Sequence, residues 1–378
     1  MHKLNEIIGL ERIYGIELAE VSETEYSFES RNSYVINANK EVTHLNLSDN
    51  GITEIKGLER FGNLLELDLD NNRLSIITGL ETLVMLQVLH LSNNRLTEIS
   101  GLDTLVNLRE LYLFINQIPE INGLEKLVNL QILALESNQI TEISGLKTLV
   151  NLLELGLSNN RLTEIKGLET LVNLQKLDLF LNKISEMKGL ETVINLQKLD
   201  LHNNEIIDIK GLETLTSLKE LHLDHNEIID IKGLRSLVNL VELNLNNNKI
   251  LEIKELDKLV RLKKLNLSDN FILGIQGLEN QIRLQVLWLN NNLVAEIKGL
   301  SKLRSLRDLD LGQNRVVEVK GMDKLMNLEV LGLSNSREIV IRGLEKFANL
   351  QKSCLDRSQI LEIDELKMLP NLNTMFIW

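Results

Sequence analysis

One asparagine recurs every 22 residues through most of this chain: Asn50, Asn72, Asn94, Asn116, Asn138, Asn160, Asn182, Asn204, Asn226, Asn248, Asn270, Asn292 and Asn314. The next two steps fall on Ser336 and Ser358. A period this strict requires one structural unit copied many times. A unit so short cannot bury its apolar side chains alone, so neighbouring copies must stack and share one continuous core. Such stacking yields long repeated surfaces suited to binding and seldom a closed catalytic cleft.

The columns around the asparagine define the unit. Val42, Leu45 and Leu47 lead to Asn50, followed by Ile52, Ile55, Gly57, Leu58 and Phe61; the same columns return as Leu152, Leu155, Leu157, Asn160, Leu162, Ile165, Gly167, Leu168 and Leu171. Leu45 and Leu47 alternate with His44, Asn46 and Ser48, the signature of a short strand with one buried face. The second half of each unit places apolar residues three apart, which suits 3₁₀ or short helical turns. The asparagine follows the strand, where the backbone turns, and its amide carries two donors and an acceptor for turn groups in its own and adjacent repeats. The pattern resembles the leucine-rich repeat. That resemblance implies an α/β solenoid, a right-handed superhelix shaped as a horseshoe or arc, with a concave parallel β-sheet and convex 3₁₀ or short helical turns.

Residues 1–41 break the period and read as an N-terminal cap over the first repeat edge. Leu4, Ile7, Ile8, Leu10 and Tyr14 fit one face of a helix, and Tyr26, Phe28, Tyr34 and Ile36, around polar Ser30–Ser33, fit a hairpin. Residues 42–378 then hold about fifteen 22-residue repeats and a partial last one. Near the far end Ser336, Glu338, Ser353 and Ser358 depart from the columns, and the chain stops at Trp378 within the expected sixteenth strand. The expectation there is either a monomer whose last aromatics cover the final repeat or weak self-association through that edge.

Composition narrows the functional classes. The 3% aromatic content suits a leucine-packed solenoid rather than an ordinary globular core. The formal net charge of −13 argues against general nucleic-acid or anionic-membrane binding, both of which need clustered positive charge. Cys354 is the sole cysteine, so no internal disulfide is expected, and a reducing compartment follows. Residues 1–18 contain no signal-peptide-like apolar stretch. The expected setting is cytoplasmic, or nuclear in a eukaryote. Two charged ladders, Glu164/Glu186/Asp208/Asp230 and Lys166/Lys188/Lys210/Lys232, lie two residues apart and are expected to neutralise one another on a solvated face.

Function is expected where the repeat does not dictate the residue, at the outward positions of the strands. At about 4.8 Å per strand the face would extend roughly 70 Å, enough to embrace a folded partner. Tyr112 and Phe114, then Phe180, then Trp288 are aromatics in outward columns and are candidate interface anchors. Asp200 and His202 share one strand and His222 and Asp224 the next, with Asp178 one strand earlier. This square is expected to be a polar partner-binding patch. Its chemistry also leaves open a divalent-metal site or acid–base catalysis, hence a metal-dependent enzyme as an alternative. No cofactor or metal is assigned, and the chain is read as non-enzymatic.

The run Gly167-Leu168-Glu169-Thr170-Leu171-Val172-Asn173-Leu174 is similar to the 22-residue subclass typified by the leucine-rich-repeat regulatory subunit of protein phosphatase 1. Leu284-Gln285-Val286-Leu287-Trp288-Leu289 resembles that family's tryptophan-bearing strand. The resemblance implies that the acidic and aromatic central column, including Asp178, Asp200 and Trp288, holds a phosphatase catalytic subunit. Ala134, Gly156 and Asn266 stand where it implies larger or acidic residues, and Val286 where it implies an acid. Bacterial internalins share the 22-residue period but are exported proteins.

Overall fold

The computed structural model describes residues 3–27, 29–316, 321–334, 347, 349–355, 371 and 374–377, with backbone alone at 353–355 and 374–377. The chain forms two compact units, Met1–Lys183 and Ile184–Trp378.

The first unit opens with helix α1 (Asn5–Tyr14), which buries Ile7 and Leu10 and ends at Gly15 in the left-handed conformation. The helix is tied to the first repeat at Lys56. The Tyr14 hydroxyl donates to the Lys56 carbonyl at 2.8 Å and accepts from its N–H at 2.7 Å. Strand β1 (Ala19–Glu20) runs parallel to β2 (Ser33–Ile36), and β2 runs antiparallel to β3 (Val42–Asn46). The hairpin therefore joins β2 to the first repeat strand β3 and lies one segment later than the aromatic alternation suggested. Its turn is Asn37–Lys40, where the Asn37 side chain accepts from the N–H groups of Asn39 and Glu41 at 2.9 and 3.0 Å. Tyr26 lies outside any strand, and Phe28 falls outside the described residues.

From β3 onward the strands are parallel and in strict register: β4 (Glu66–Asp68), β5 (Val88–His90), β6 (Glu110–Tyr112), β7 (Ile132–Ala134), β8 (Glu154–Gly156) and β9 (Lys176–Asp178). Leu45 pairs with Leu67, Leu67 with Leu89 and so onward, each step one repeat. Register is fixed because a slip of one residue would turn every leucine to solvent. The second unit repeats this arrangement through β10 (Lys198–Asp200), β11 (Glu220–His222), β12 (Glu242–Asn244), β13 (Lys264–Asn266), β14 (Val286–Trp288), β15 (Asp308–Asp310), β16 (Val330–Gly332), β17 (Lys352–Leu355) and β18 (Thr374–Ile377). The last two strands pair in parallel, Cys354 opposite Phe376, so the expected final strand is present. Ser336, Glu338, Ser358 and Trp378 fall outside the described residues.

The core is almost purely leucine and isoleucine. Leu67, Leu69, Leu74, Leu80, Leu83 and Leu86 within one repeat are each fully buried. At about 1.5–3 kcal/mol per buried aliphatic side chain, this repeated layer is the main stabilising contribution. On the side of the coil opposite the strands the chain makes successive tight turns rather than continuous helices. Phe61 N–H donates to Leu58 carbonyl and Leu64 N–H to Phe61 carbonyl, a pattern each repeat copies. In most repeats a glycine precedes the first of these turns because the backbone of the preceding repeat comes too close for a side chain. At Gly101, with φ of +74°, a Cβ would stand 2.2 Å from the Ile77 carbonyl oxygen.

The asparagine ladder does the work its spacing implied. The Asn72 amide donates to the carbonyls of Leu47, Leu69 and Asp70 at 3.0, 2.9 and 3.2 Å, and its oxygen accepts from Ile52 N–H at 2.9 Å. One buried side chain thus satisfies backbone groups in two repeats, which would otherwise stand unpaired in the core. The charged ladders neutralise one another as expected. Lys166 meets Glu164 at 2.6 Å, Lys210 meets Asp208 at 2.7 Å, and Lys254 lies 3.2 Å from Asp230 and 3.6 Å from Glu252.

Candidate functional site

Strand alternation places three side chains of each strand segment on the outward face, at positions such as 66, 68 and 70. The two units use this face differently.

In the first unit much of the outward face is buried. Asn46, Asp68 and His90 are almost completely covered, although the repeat pattern marks their columns as solvent-facing. The cap contributes to this cover: the Tyr26 ring sits 5.1 Å from His44, and its hydroxyl is buried close enough to feel Glu66 and Asp68. Burial, and then the charges of Asp68 and Glu110, push the Glu66 carboxyl up to about 7. Burial and Asp68 push Asp70 up to about 7 as well. Burial pushes His90 down to about 4. His90 Nε2 and Glu66 Oε1 are 3.8 Å apart, but these shifts make both groups neutral near pH 5–6, so the contact is not an ion pair there.

Tyr112 belongs to this internal cluster rather than projecting freely. Its ring stacks on His90 with centroids 4.6 Å apart and planes 3° from parallel, and its hydroxyl donates to Glu110 at 2.7 Å. Phe114 is half-buried, and Ile115 beside it is exposed. Asp178 is half-buried and accepts from Phe180 N–H at 3.1 Å; Phe180 is half-buried too, and Leu181 beside it is exposed. Glu136 lies over Gly156, whose missing side chain leaves the space its carboxylate fills.

In the second unit the structure brings three members of the predicted square into one hydrogen-bonded group. Asp200 Oδ1 lies 2.6 Å from His202 Nδ1, and Asp200 Oδ2 lies 3.5 Å from His222 Nδ1. Burial would raise the Asp200 carboxyl, but hydrogen bonds from His222 and His202 outweigh it and hold it below the ordinary range. The same bond raises His222 against the opposing pull of burial. Asp224 turns away to accept from Asn244 at 2.8 Å, and burial pushes its carboxyl up. Both histidines thus direct Nδ1 at one carboxylate instead of converging on a common point. Among the described residues no group of three or more His, Cys, Asp or Glu side chains could hold a metal ion.

Trp288 stands 39% exposed at the end of β14. Burial raises the Asp308 carboxyl, an upward push that the neighbouring Trp288 indole partly offsets, and burial also raises Asp310 opposite. Sequence reading missed Glu66, Glu110 and Asp308 because it followed only two outward columns. The strand alternation itself marks a third, two residues earlier, and that was the available signal.

The family description "Leucine Rich repeats (2 copies)" matches residues 40–82, 84–126, 106–148, 150–192, 194–236 and 282–324. The chain belongs to the leucine-rich repeat family. Proteins of this family generally act as protein-interaction scaffolds and are typically non-enzymatic. No curated protein sequence matches this leucine-rich repeat chain significantly. Among solved structures it is similar to a leucine-rich repeat protein of Leptospira interrogans, at 26% identity over 97% of this chain and 91% of that one, with a TM-score of 0.73. It is also similar to an internalin of Listeria monocytogenes, at 24% identity over 89% of each chain, with a TM-score of 0.62, a likeness of fold alone. Among the described residues no helix is long and apolar enough to cross a membrane.

Proposed function

We propose that this chain is a non-enzymatic scaffold that holds a folded protein partner against its strand face. The observation carrying this reading is the contrast within the strands from β3 to β16: a recurring leucine pair faces inward, while the outward columns change from repeat to repeat and include Trp288, partly exposed beside Asp308 and Asp310. Exposed aromatics ringed by polar groups are the usual anchors of protein interfaces. The contact set proposed is Tyr112, Phe114, Asp178, Phe180, Asp200, His202, His222, Asp224 and Trp288. Tyr112 acts there partly by holding His90 and Glu110. Capture of partners by the full chain, beside a Tyr112→Ala/Phe114→Ala/Trp288→Ala variant of equal melting temperature, tests the reading. Equal retention by both proteins would remove it.

A more specific reading, supported by the Leu284–Leu289 resemblance, makes the partner a phosphatase-1-type catalytic subunit. Titration of the purified catalytic subunit against the full chain and Trp288→Ala decides it: a complex weakened by the substitution supports the reading, and no complex ends it. The lone cysteine supports an intracellular setting. Weak self-association through β18 is a further element of the reading, and a concentration-independent monomer mass from light scattering would remove it.

A further inference from the structure

The side of the coil opposite the strands carries a second surface, in the second unit alone. One column lies immediately after the buried isoleucine or leucine that follows the ladder asparagine. In the first unit it reads Thr53, Ser75, Thr97, Pro119, Thr141 and Thr163, all exposed. The repeat therefore accepts small polar residues there. In the second unit four successive repeats instead place Ile207, Ile229, Leu251 and Leu273 in this column, 50%, 51%, 50% and 60% exposed. Phe271, two residues before Leu273, is 48% exposed. None of these side chains serves the core, and a row of them in register is not scattered surface hydrophobicity.

The row is ordered. Asp208 and Asp230, the residues after Ile207 and Ile229, form an isolated parallel bridge, which sets neighbouring repeats at strand-like spacing here too. Four side chains at about 4.8 Å steps span about 14 Å, between two and three turns of an α-helix. Apolar residues every third or fourth position on such a helix would meet the row one for one. Grooves flank it at both ends. One, of about 640 Å³, is lined by Ile207 with Glu186, Glu191 and Asp208, against Lys188 and Lys210. The other, of about 560 Å³, is lined by Leu251 and Leu273 with Glu252, Glu255, Asp257 and Glu279, against Lys254 as its one lysine.

Charge decides the occupant. Two residues before this column the first unit carries Arg73, Arg95 and Arg161 with no carboxylate, whereas the row carries Glu205, Glu227, Lys249 and Phe271, with Lys249 paired to Glu227. Glu255 adds a carboxylate to the groove by taking the place of the repeat glycine, with φ of +56°, a conformation glycine adopts at Gly233 and Gly277. A second copy of this chain, at net charge −13, would bring like charge to these flanks. We propose that the Ile207–Ile229–Leu251–Leu273 row is a docking site for an amphipathic helix of another protein, apolar on one face and basic on both flanks.

The test uses the full chain and a fluorescein-labelled synthetic helix of about 14 residues, with leucine at every third or fourth position and lysine or arginine on both flanks. Anisotropy is expected to show binding that weakens about tenfold or more in Ile207→Thr/Ile229→Thr/Leu251→Thr/Leu273→Thr, which copies the first unit's own residues. The single Ile229→Lys variant, which sets like charge against the peptide, is expected to weaken it similarly. A peptide with the same leucines and glutamate flanks should bind about tenfold more weakly than the basic one. Equal binding by wild type and the threonine variant would overturn the proposal, as would preference for the acidic peptide. So would a wild-type dimer in light scattering that the threonine variant dissociates. A Trp288→Ala variant should bind the peptide unchanged, which separates this surface from the strand-face reading.

Discussion

The two units share one scaffold and differ in what they leave at the surface. In Met1–Lys183 the outer column is Thr, Ser and Pro, and the strand face near the cap closes over carboxylates and histidine. In Ile184–Trp378 the outer column holds a row of four exposed Ile and Leu between Ser185 and Ala295, and the strand face offers the Asp200 hydrogen-bonded group and Trp288. The leucine columns and asparagines are alike in both. The difference shows that the repeat sets core and turn residues while leaving the outward columns free, so those columns are where the units can acquire distinct roles.

The largest expected effect tests what the units have in common. Asn182→Ala in the first and Asn226→Ala in the second should each cost about 1–3 kcal/mol, because each leaves buried backbone groups of two repeats unpaired. Denaturant melts showing a marked loss in one and none in the other would break the claim of a shared scaffold.

Next comes pH dependence, which should separate the units. Glu66 and Asp70 titrate near 7 in the fold, above the ordinary carboxylate range, so the folded state binds more protons and stability falls as pH rises toward and through 7. His90 works oppositely: its folded value near 4 lies below that of a free histidine, so its contribution is lost as pH falls from about 6.5 to about 4. In the second unit His222 is raised, so its stabilisation is present below about 6.5 and lost as pH rises through its folded value. Asp200 is lowered, so its contribution is lost at the acid end, below about 3.9. Hydrogen exchange at Leu67 and Leu69 beside Leu221 and Leu223 can resolve the two contributions. Glu66→Gln should flatten the alkaline-side change in the first pair only, and Asp200→Asn in the second only. A single slope shared by all four amides and untouched by either substitution would contradict this assignment.

Smaller effects sharpen the contrast. Glu255→Gly should stabilise the chain by about 1 kcal/mol, since it relieves a left-handed residue that carries a Cβ. A loss of stability in thermal melts would show that Glu255 has a structural role. The fourfold threonine variant of the outer row should change stability by less than about 0.5 kcal/mol, as expected of side chains already half in water. A large loss would mean that the row supports the fold.

The fold was legible because its determinants repeat: an inward leucine pair in every strand from β3 to β16 and an asparagine after each strand as far as Asn314 leave one consistent register. The cap was legible only in part. Tyr26, Phe28 and Tyr34 alternate like a strand, but the Asn37 side chain anchors the actual turn, a local signal outweighed by the aromatics. Burial of His90 under Tyr112 and of Asp68 near Tyr26 was not legible, because it depends on side chains brought together across repeats and from the N-terminal segment by tertiary packing. The Asp200 square was legible as an assembly but not as chemistry, since spacing does not say whether two histidines face a metal or a carboxylate. The row at Ile207 was legible in principle, by comparing one column between the halves of the chain.

The central claim is that function resides in the outward strand columns while the repeat itself only builds the scaffold. Quantitative capture of partners from native lysate, by wild type and by Tyr112→Ala/Phe114→Ala/Trp288→Ala with matched melting curves, tests it most directly. Loss of specific partners at unchanged stability is the predicted result. Identical partner sets at identical yield would contradict it.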